Sequence, residues 1–143
     1  MASIRTELRI DAPVQHVWRV LADLPRWPDW NPLMVRMDGE ARVGAALAIA
    51  VATGRRKPVR TTATILVFEP GQELRWGGGL RPLIWIEHYV RVSAAGEGTL
   101  LEHGEDFTGP VGWLLKTLLI RERPYHRMNV AVAERVASLA RRT

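Results

Sequence analysis

The 143-residue chain contains no cysteine, which excludes a disulfide framework, a thiolate zinc site and a cysteine nucleophile, and suits a reducing compartment. A membrane-spanning run is missing as well: the longest apolar stretch, 112–120, is broken by Lys116 and falls far short of the roughly 20 residues a bilayer requires. The start, MASIRTELRI, carries Arg5, Glu7 and Arg9 where a secretory signal needs an apolar core, so it reads as a strand of a cytoplasmic protein. No repeat, low-complexity tract or linker divides the sequence, and a single domain over residues 1–143 suits its length. Serine lacks a nucleophile context, since Ser3, Ser93 and Ser138 fall on a terminal strand, a strand end and a helix tail. A basic stripe interleaved with aromatics is also absent. The formal charge of +5 comes partly from Arg55, Arg56 and Lys57 in one turn and from Arg135, Arg141 and Arg142 near the C-terminus. A solvated hairpin tip and a helix end whose dipole favours cations account for both, so no nucleic-acid partner is expected.

The informative content begins with residues 11–32, DAPVQHVWRVLADLPRWPDWNP. Pro13 suits the first helical position, and Val14, Val17, Trp18 and Leu21 then share one face. Pro25, Pro28 and Pro32 end that helix near Leu24 and keep the chain beyond it from resuming helical geometry. Strands are predicted at 3–10, 33–37, 45–52, 59–68, 73–76, 84–93 and 99–107. Asp38-Gly39, Gly54, Glu69-Pro70-Gly71, Gly77-Gly78-Gly79 and 95–98 supply turn residues between them, which implies an antiparallel meander. Beyond Gly109-Pro110 the apolar positions change to helical period, through Val111, Leu114, Leu115, Leu118, Tyr125, Val132, Val136 and Leu139. Pro124 either kinks this helix near 121–123 or separates a short helix from a longer one that ends near Arg141. A meander and one apolar-faced helix are both buried if the sheet curls around the helix.

This order resembles the helix-grip fold of the START-related superfamily, also called SRPBCC or birch-pollen-allergen-like: an α+β fold in which a curved antiparallel sheet of six to seven strands wraps a long C-terminal helix, with two short helices after the first strand. The resemblance covers the whole chain. It rests on Ala12-Pro13, Val17-Trp18, Asp23, Trp27, Trp30 and Pro32, which match an opening pattern aPxxxVWxxlxDxxxWxxWxP. It continues in Leu74-Arg75-Trp76, His88-Tyr89-Val90 with Val92, Gly98-Thr99, the run 103–107 with Gly109, and Met128-Asn129. Within the superfamily the sequence is most similar to the polyketide cyclase/dehydrase-like branch. The resemblance implies a deep cavity between sheet and C-terminal helix that holds a small hydrophobic molecule, and it calls for no cofactor.

Period-2 alternation places Leu101, His103, Glu105 and Phe107 on one face of the last strand and His88, Val90 and Val92 on one face of its neighbour. If the apolar members set the inward side, His88, His103 and Glu105 enter the cavity, where two imidazoles and a carboxylate are suitable acid–base groups. The competing reading is a satisfied polar pair, and a parity error of one residue sends all three to solvent. Trp76, Val90, Leu101, Leu118, Tyr125 and Asn129 complete the expected lining, with Trp27 and Trp30 at the mouth. The Tyr125 hydroxyl and the Asn129 amide are candidate ligand contacts. His103-x-Glu105 with His88 is weak as a metal pattern, and the zinc-deaminase His-x-Glu comes with paired cysteines this chain lacks; no metal is expected. The glycine run is no phosphate loop, because Leu80, Arg81 and Pro82 follow it between strands; it lets the sheet bend or brings backbone close to a ligand.

Three functional readings are open at this point. The first is a binding protein that sequesters or transports a lipid- or polyketide-like ligand. A second is an aromatase/cyclase or dehydratase, with His103 or His88 as base and Tyr125 or Glu105 as acid. A weaker third is a protein-partner module akin to the heat-shock chaperone-activator branch, which would need a large exposed apolar patch that nothing beyond the cavity mouth gives reason to expect. Nothing in the sequence fixes an oligomeric state.

Overall fold

Alternation of apolar and polar residues generates seven strands: β1 (Ala2–Ile10), β2 (Met34–Asp38), β3 (Ala46–Val51), β4 (Val59–Glu69), β5 (Glu73–Leu80), β6 (Ile84–Ala95) and β7 (Gly98–Thr108). A computed structural model describes residues 1–52, 54 and 57–142; Arg55 and Arg56 of the basic turn lie outside these. The strands form one antiparallel sheet in the order β1-β7-β6-β5-β4-β3-β2, so consecutive strands from β2 to β7 are neighbours and β1 closes the far edge on β7. Bulges after Met34 and Ile65 sharpen the local twist and help the sheet curl.

Helix α1 (Val14–Ala22) and a 3-10 turn at Leu24–Asp29 follow β1. Pro13 precedes the first helical residue, and Val17, Trp18 and Leu21 are buried as their spacing predicts, while Val14 is half-buried and Val20 is buried beside them. Prolines and the lost helical hydrogen bonds then tighten the chain into the 3-10 turn. Helices α2 (Pro110–Leu119) and α3 (Arg123–Ala140) end the chain, so Pro124 marks the start of a second helix and not a kink in one long helix. Helix α3 packs against β1, β7 and α1 and buries Tyr125, Met128, Asn129, Val132 and Val136.

Two sequence expectations are overturned. The glycine run is not a turn: Gly77, Gly78 and Gly79 pair with Glu87, Ile86 and Trp85 in the β5–β6 ladder, and the reversal occurs at 81–83. The stripe Val111, Leu114 and Leu118 on α2 does not face the core. It is exposed, along with Trp113 and Leu119, because the helix rests on its other side through Gly112. A large exposed apolar surface therefore exists after all. No helix among the described residues is long and apolar enough to cross a membrane.

Candidate functional site

Register brings the chemistry together. Trp76 on β5 pairs with His88 on β6, and His88 pairs with Glu105 on β7. One step along, Val90 pairs with His103, which pairs in turn with Thr6 on β1. The alternation therefore holds in the structure: Trp76, His88, His103, Glu105 and Thr6 all point to the inner face, with His103 fully buried and His88 at 6% exposure.

The polar groups form one continuous chain whose protons are fixed by elimination. The Thr6 hydroxyl donates to the His103 carbonyl at 2.8 Å, so Thr6 Oγ1 accepts from Asn129 Nδ2, also at 2.8 Å. Asn129 Oδ1 is then turned to His103 Nδ1 at 3.0 Å, which makes that nitrogen the N–H donor. Burial holds the His103 pKa well below its usual value, His88 pushes the same way, and the Asn129 hydrogen bond only partly offsets them. His103 is therefore neutral with Nε2 bare, and His88 Nε2–H donates to it across 2.5 Å. The other nitrogen, His88 Nδ1, lies 3.1 Å from Glu105 Oε1, so a proton on either group bridges the two. The Tyr125 hydroxyl donates to the same carboxylate oxygen at 2.5 Å. Burial and the neighbouring carboxylate both raise the Tyr125 pKa far above that of a free phenol, so it stays a donor.

A cavity of about 250 Å³ adjoins this chain, lined by Met34, Ile49, Ala63, Trp76, Ile86 and their neighbours, with Gly77, Gly78 and Gly79 as one wall and, among the described residues, His88 and Glu105 as the only titratable side chains. It exists because the inward positions at this end of the sheet are small: Ala63 on β4 and Gly78 on β5 leave space that larger side chains would fill. Gly78 alone of the three glycines has room for a side chain, with a Cβ meeting nothing nearer than the Thr62 carbonyl at 3.4 Å. Trp76 stacks on His88 with ring centroids 4.5 Å apart and planes 11° apart, which orients the imidazole.

The structure divides the residues singled out in the sequence. Trp76, His88 and Glu105 line the cavity. His103, Tyr125 and Asn129 stand behind His88 and Glu105 and hold them, so their predicted ligand contacts become positioning contacts. Val90 and Leu101 have no exposed surface and belong to the core. Leu118 lies on the outer face of α2 at 59% exposure, away from the cavity. No residue of α3 lines the cavity, contrary to the expected place between sheet and helix, because Tyr125, Met128 and Val132 fill the space under that helix. Trp27 is not at a mouth: the 3-10 turn carries it into the core, where its indole N–H donates to the Leu21 carbonyl at 3.0 Å and its ring meets Trp76 edge-on. Trp30 packs on Trp27 and lines a separate shallow groove with Pro32 and Arg127. Thr6 escaped the sequence reading, although its place opposite His103 follows from pairing the first and last strands. Among the described residues no three His, Asp or Glu side chains are grouped as metal ligands.

The family model for polyketide cyclase / dehydrase and lipid transport proteins matches residues 1–137. The chain belongs to this family. Its fold is similar to that of norcoclaurine synthase from Thalictrum flavum, with a TM-score of 0.73 and 18% identity over 97% of this chain and 96% of that one. It is similar also to the Zhui aromatase/cyclase from Streptomyces sp. R1128, with a TM-score of 0.73 and 18% identity over 95% and 93%. A START superfamily protein from Mycobacterium smegmatis aligns with a TM-score of 0.73 and 16% identity over 96% and 98%. At these identities the likeness is one of fold. No curated protein matches the sequence.

Proposed function

We propose that this family member binds a small, largely apolar ligand, lipid- or polyketide-like in chemistry, and sequesters or carries it. The observation that carries the reading is an apolar cavity whose only titratable lining groups, among the described residues, are the neighbouring His88 and Glu105. A greasy pocket with a few convergent polar groups is the usual form of a small-molecule site. The pair accepts or donates one hydrogen bond at a fixed point, and the stacked Trp76 offers a flat face to a ring. A second reading, a cyclase or dehydratase, is favoured by one specific feature: an imidazole, His88, and a carboxylate, Glu105, lie 3.1 Å apart at the cavity wall, held in place by His103 and Tyr125, as an acid–base pair requires.

The experiment is native mass spectrometry of the protein purified from its own host, alongside Gly78→Leu, whose side chain enters the cavity where a Cβ is accommodated. A co-purifying small molecule on the parent chain and none on Gly78→Leu is the expected result; a parent chain that retains nothing overturns sequestration. The enzyme reading is separated by Glu105→Gln. If that variant keeps the bound molecule unaltered while the parent chain converts it with a bell-shaped pH profile, catalysis and not carriage is the function.

A further inference from the structure

The outward face of α2 has no partner among the described residues. Trp113 is 55% exposed, Leu118 59% and Leu119 70%, with Val111 and Leu114 beside them. The tip of the β5–β6 hairpin extends the patch: Leu80 and Leu83 are exposed as well, and the Val111 N–H donates to the Leu83 carbonyl at 3.0 Å, which fixes the tip against the start of the helix. Proteins rarely leave so many large apolar side chains together in water without a use for them.

Charge selects the partner. Segments 80–86 and 107–121 contain no acidic residue and carry Arg81, Lys116 and Arg121, with Arg123 just beyond. Of the carboxylates flanking these segments, Glu87 accepts from Arg75 and from the Trp85 indole, and Glu122, beyond the end of α2, lies 3.8 Å from His126. A second copy docked face to face across a twofold axis would set these same cations against one another, with no acid in either segment to separate them. A layer of anionic headgroups is complementary to them, and an exposed Trp among leucines, rimmed by Lys and Arg, is the composition of helices that lie in a bilayer interface.

We propose that the α2 face and the β5–β6 hairpin tip dock this protein onto the surface of an anionic lipid bilayer. The hairpin that carries Leu80 and Leu83 also carries Gly79 and Ile84 of the cavity wall, so docking brings the cavity to the membrane surface. The inference stands whatever the cavity holds.

The test is co-sedimentation with vesicles of phosphatidylcholine containing 30% phosphatidylglycerol, against vesicles of phosphatidylcholine alone. Three cations near the surface, at about 1 kcal/mol each, give an affinity on the order of a hundredfold higher for the anionic vesicles. The double variant Trp113→Glu, Leu118→Glu abolishes sedimentation while its circular dichroism and unfolding midpoint match the parent, since both side chains lie outside the core. Arg81→Ala with Arg121→Ala lowers the preference for the anionic vesicles to about fivefold, the share of Lys116. Failure of the parent chain to sediment with anionic vesicles overturns the proposal. So does analytical ultracentrifugation that finds a dimer lost in the double variant, which would make a second copy of the chain the occupant.

Discussion

His88 and His103 share one proton along a 2.5 Å line, and the Thr6–Asn129 pair decides which ring supplies it. Asn129 can turn only its oxygen to His103 Nδ1, because its nitrogen is held by Thr6. His103 is therefore a fixed acceptor toward His88, buried and unable to charge, and His88 is the residue that speaks to Glu105. This arrangement makes stability depend on pH. The folded-state pKa of His103 is depressed, so below the unfolded value of about 6.5 the unfolded chain binds a proton that the folded chain refuses, and stability falls as pH is lowered. Between pH 6.5 and about 5, above the range in which exposed carboxylates titrate, this one group contributes a slope of up to about 1.4 kcal/mol per pH unit. His103→Leu is less stable at pH 8, since Asn129 and His88 each lose a partner, but its stability declines less between pH 8 and 5 than that of the parent. Urea unfolding at several pH values measures both; an unchanged slope in the variant would show that His103 charges in the fold.

At the scale of elements, the sheet is held on its outer face by a charge network that crosses three strands. The Arg75 guanidinium on β5 donates to Glu73 on its own strand, to Glu87 on β6 and to Asp106 on β7, at 2.9 to 3.1 Å. It also lies 4.6 Å over the Tyr89 ring, with Arg91 on the same ring at 4.4 Å. Removing it leaves three carboxylates with reduced neutralisation, so Arg75→Met costs about 2–3 kcal/mol, and Arg75→Lys recovers only part because the ammonium donates from a single point, whereas the guanidinium reaches Glu73 from Nε and the other two carboxylates from Nη1. Thermal unfolding of the three proteins checks the order. How far such elements were legible in the sequence depends on what set them. The inward parity of His88, His103 and Glu105 was readable because Val90, Leu101 and Phe107 mark the buried side of the same strands. The glycine run misled, since three successive glycines resemble a turn until the continuing ladder to β6 is seen. The facing of α2 could not be read at all: helical spacing says which residues share a face, not whether another part of the chain covers it.

The whole molecule divides along its sheet. Helix α3 covers the end formed by β1 and β7 and fills it, while the end toward β3 and β4 keeps the cavity, walled by small residues and backed by Trp27 and Trp76. The opening aromatic segment thus serves as bracing for the cavity wall, one layer removed from any ligand. Size selectivity is a consequence of this division. An apolar cavity of about 150 Å³ holds a benzene, so about 250 Å³ encloses one or two substituted rings or a short acyl chain, below the range of pockets that surround drug-sized molecules. A ligand of that size at a hundred times its Kd stabilises the fold by about 2.7 kcal/mol, which for 143 residues raises Tm by about 9 °C. Tetracyclic or long-chain compounds exceed this volume and bind more weakly, so they give a smaller shift at the same concentration, and Gly78→Leu removes the shift from the one- and two-ring ligands. Differential scanning fluorimetry across a series of phenols, naphthols, fatty acids and sterols reads this directly. An equal shift from the sterols at the same concentration would mean that the cavity enlarges on binding.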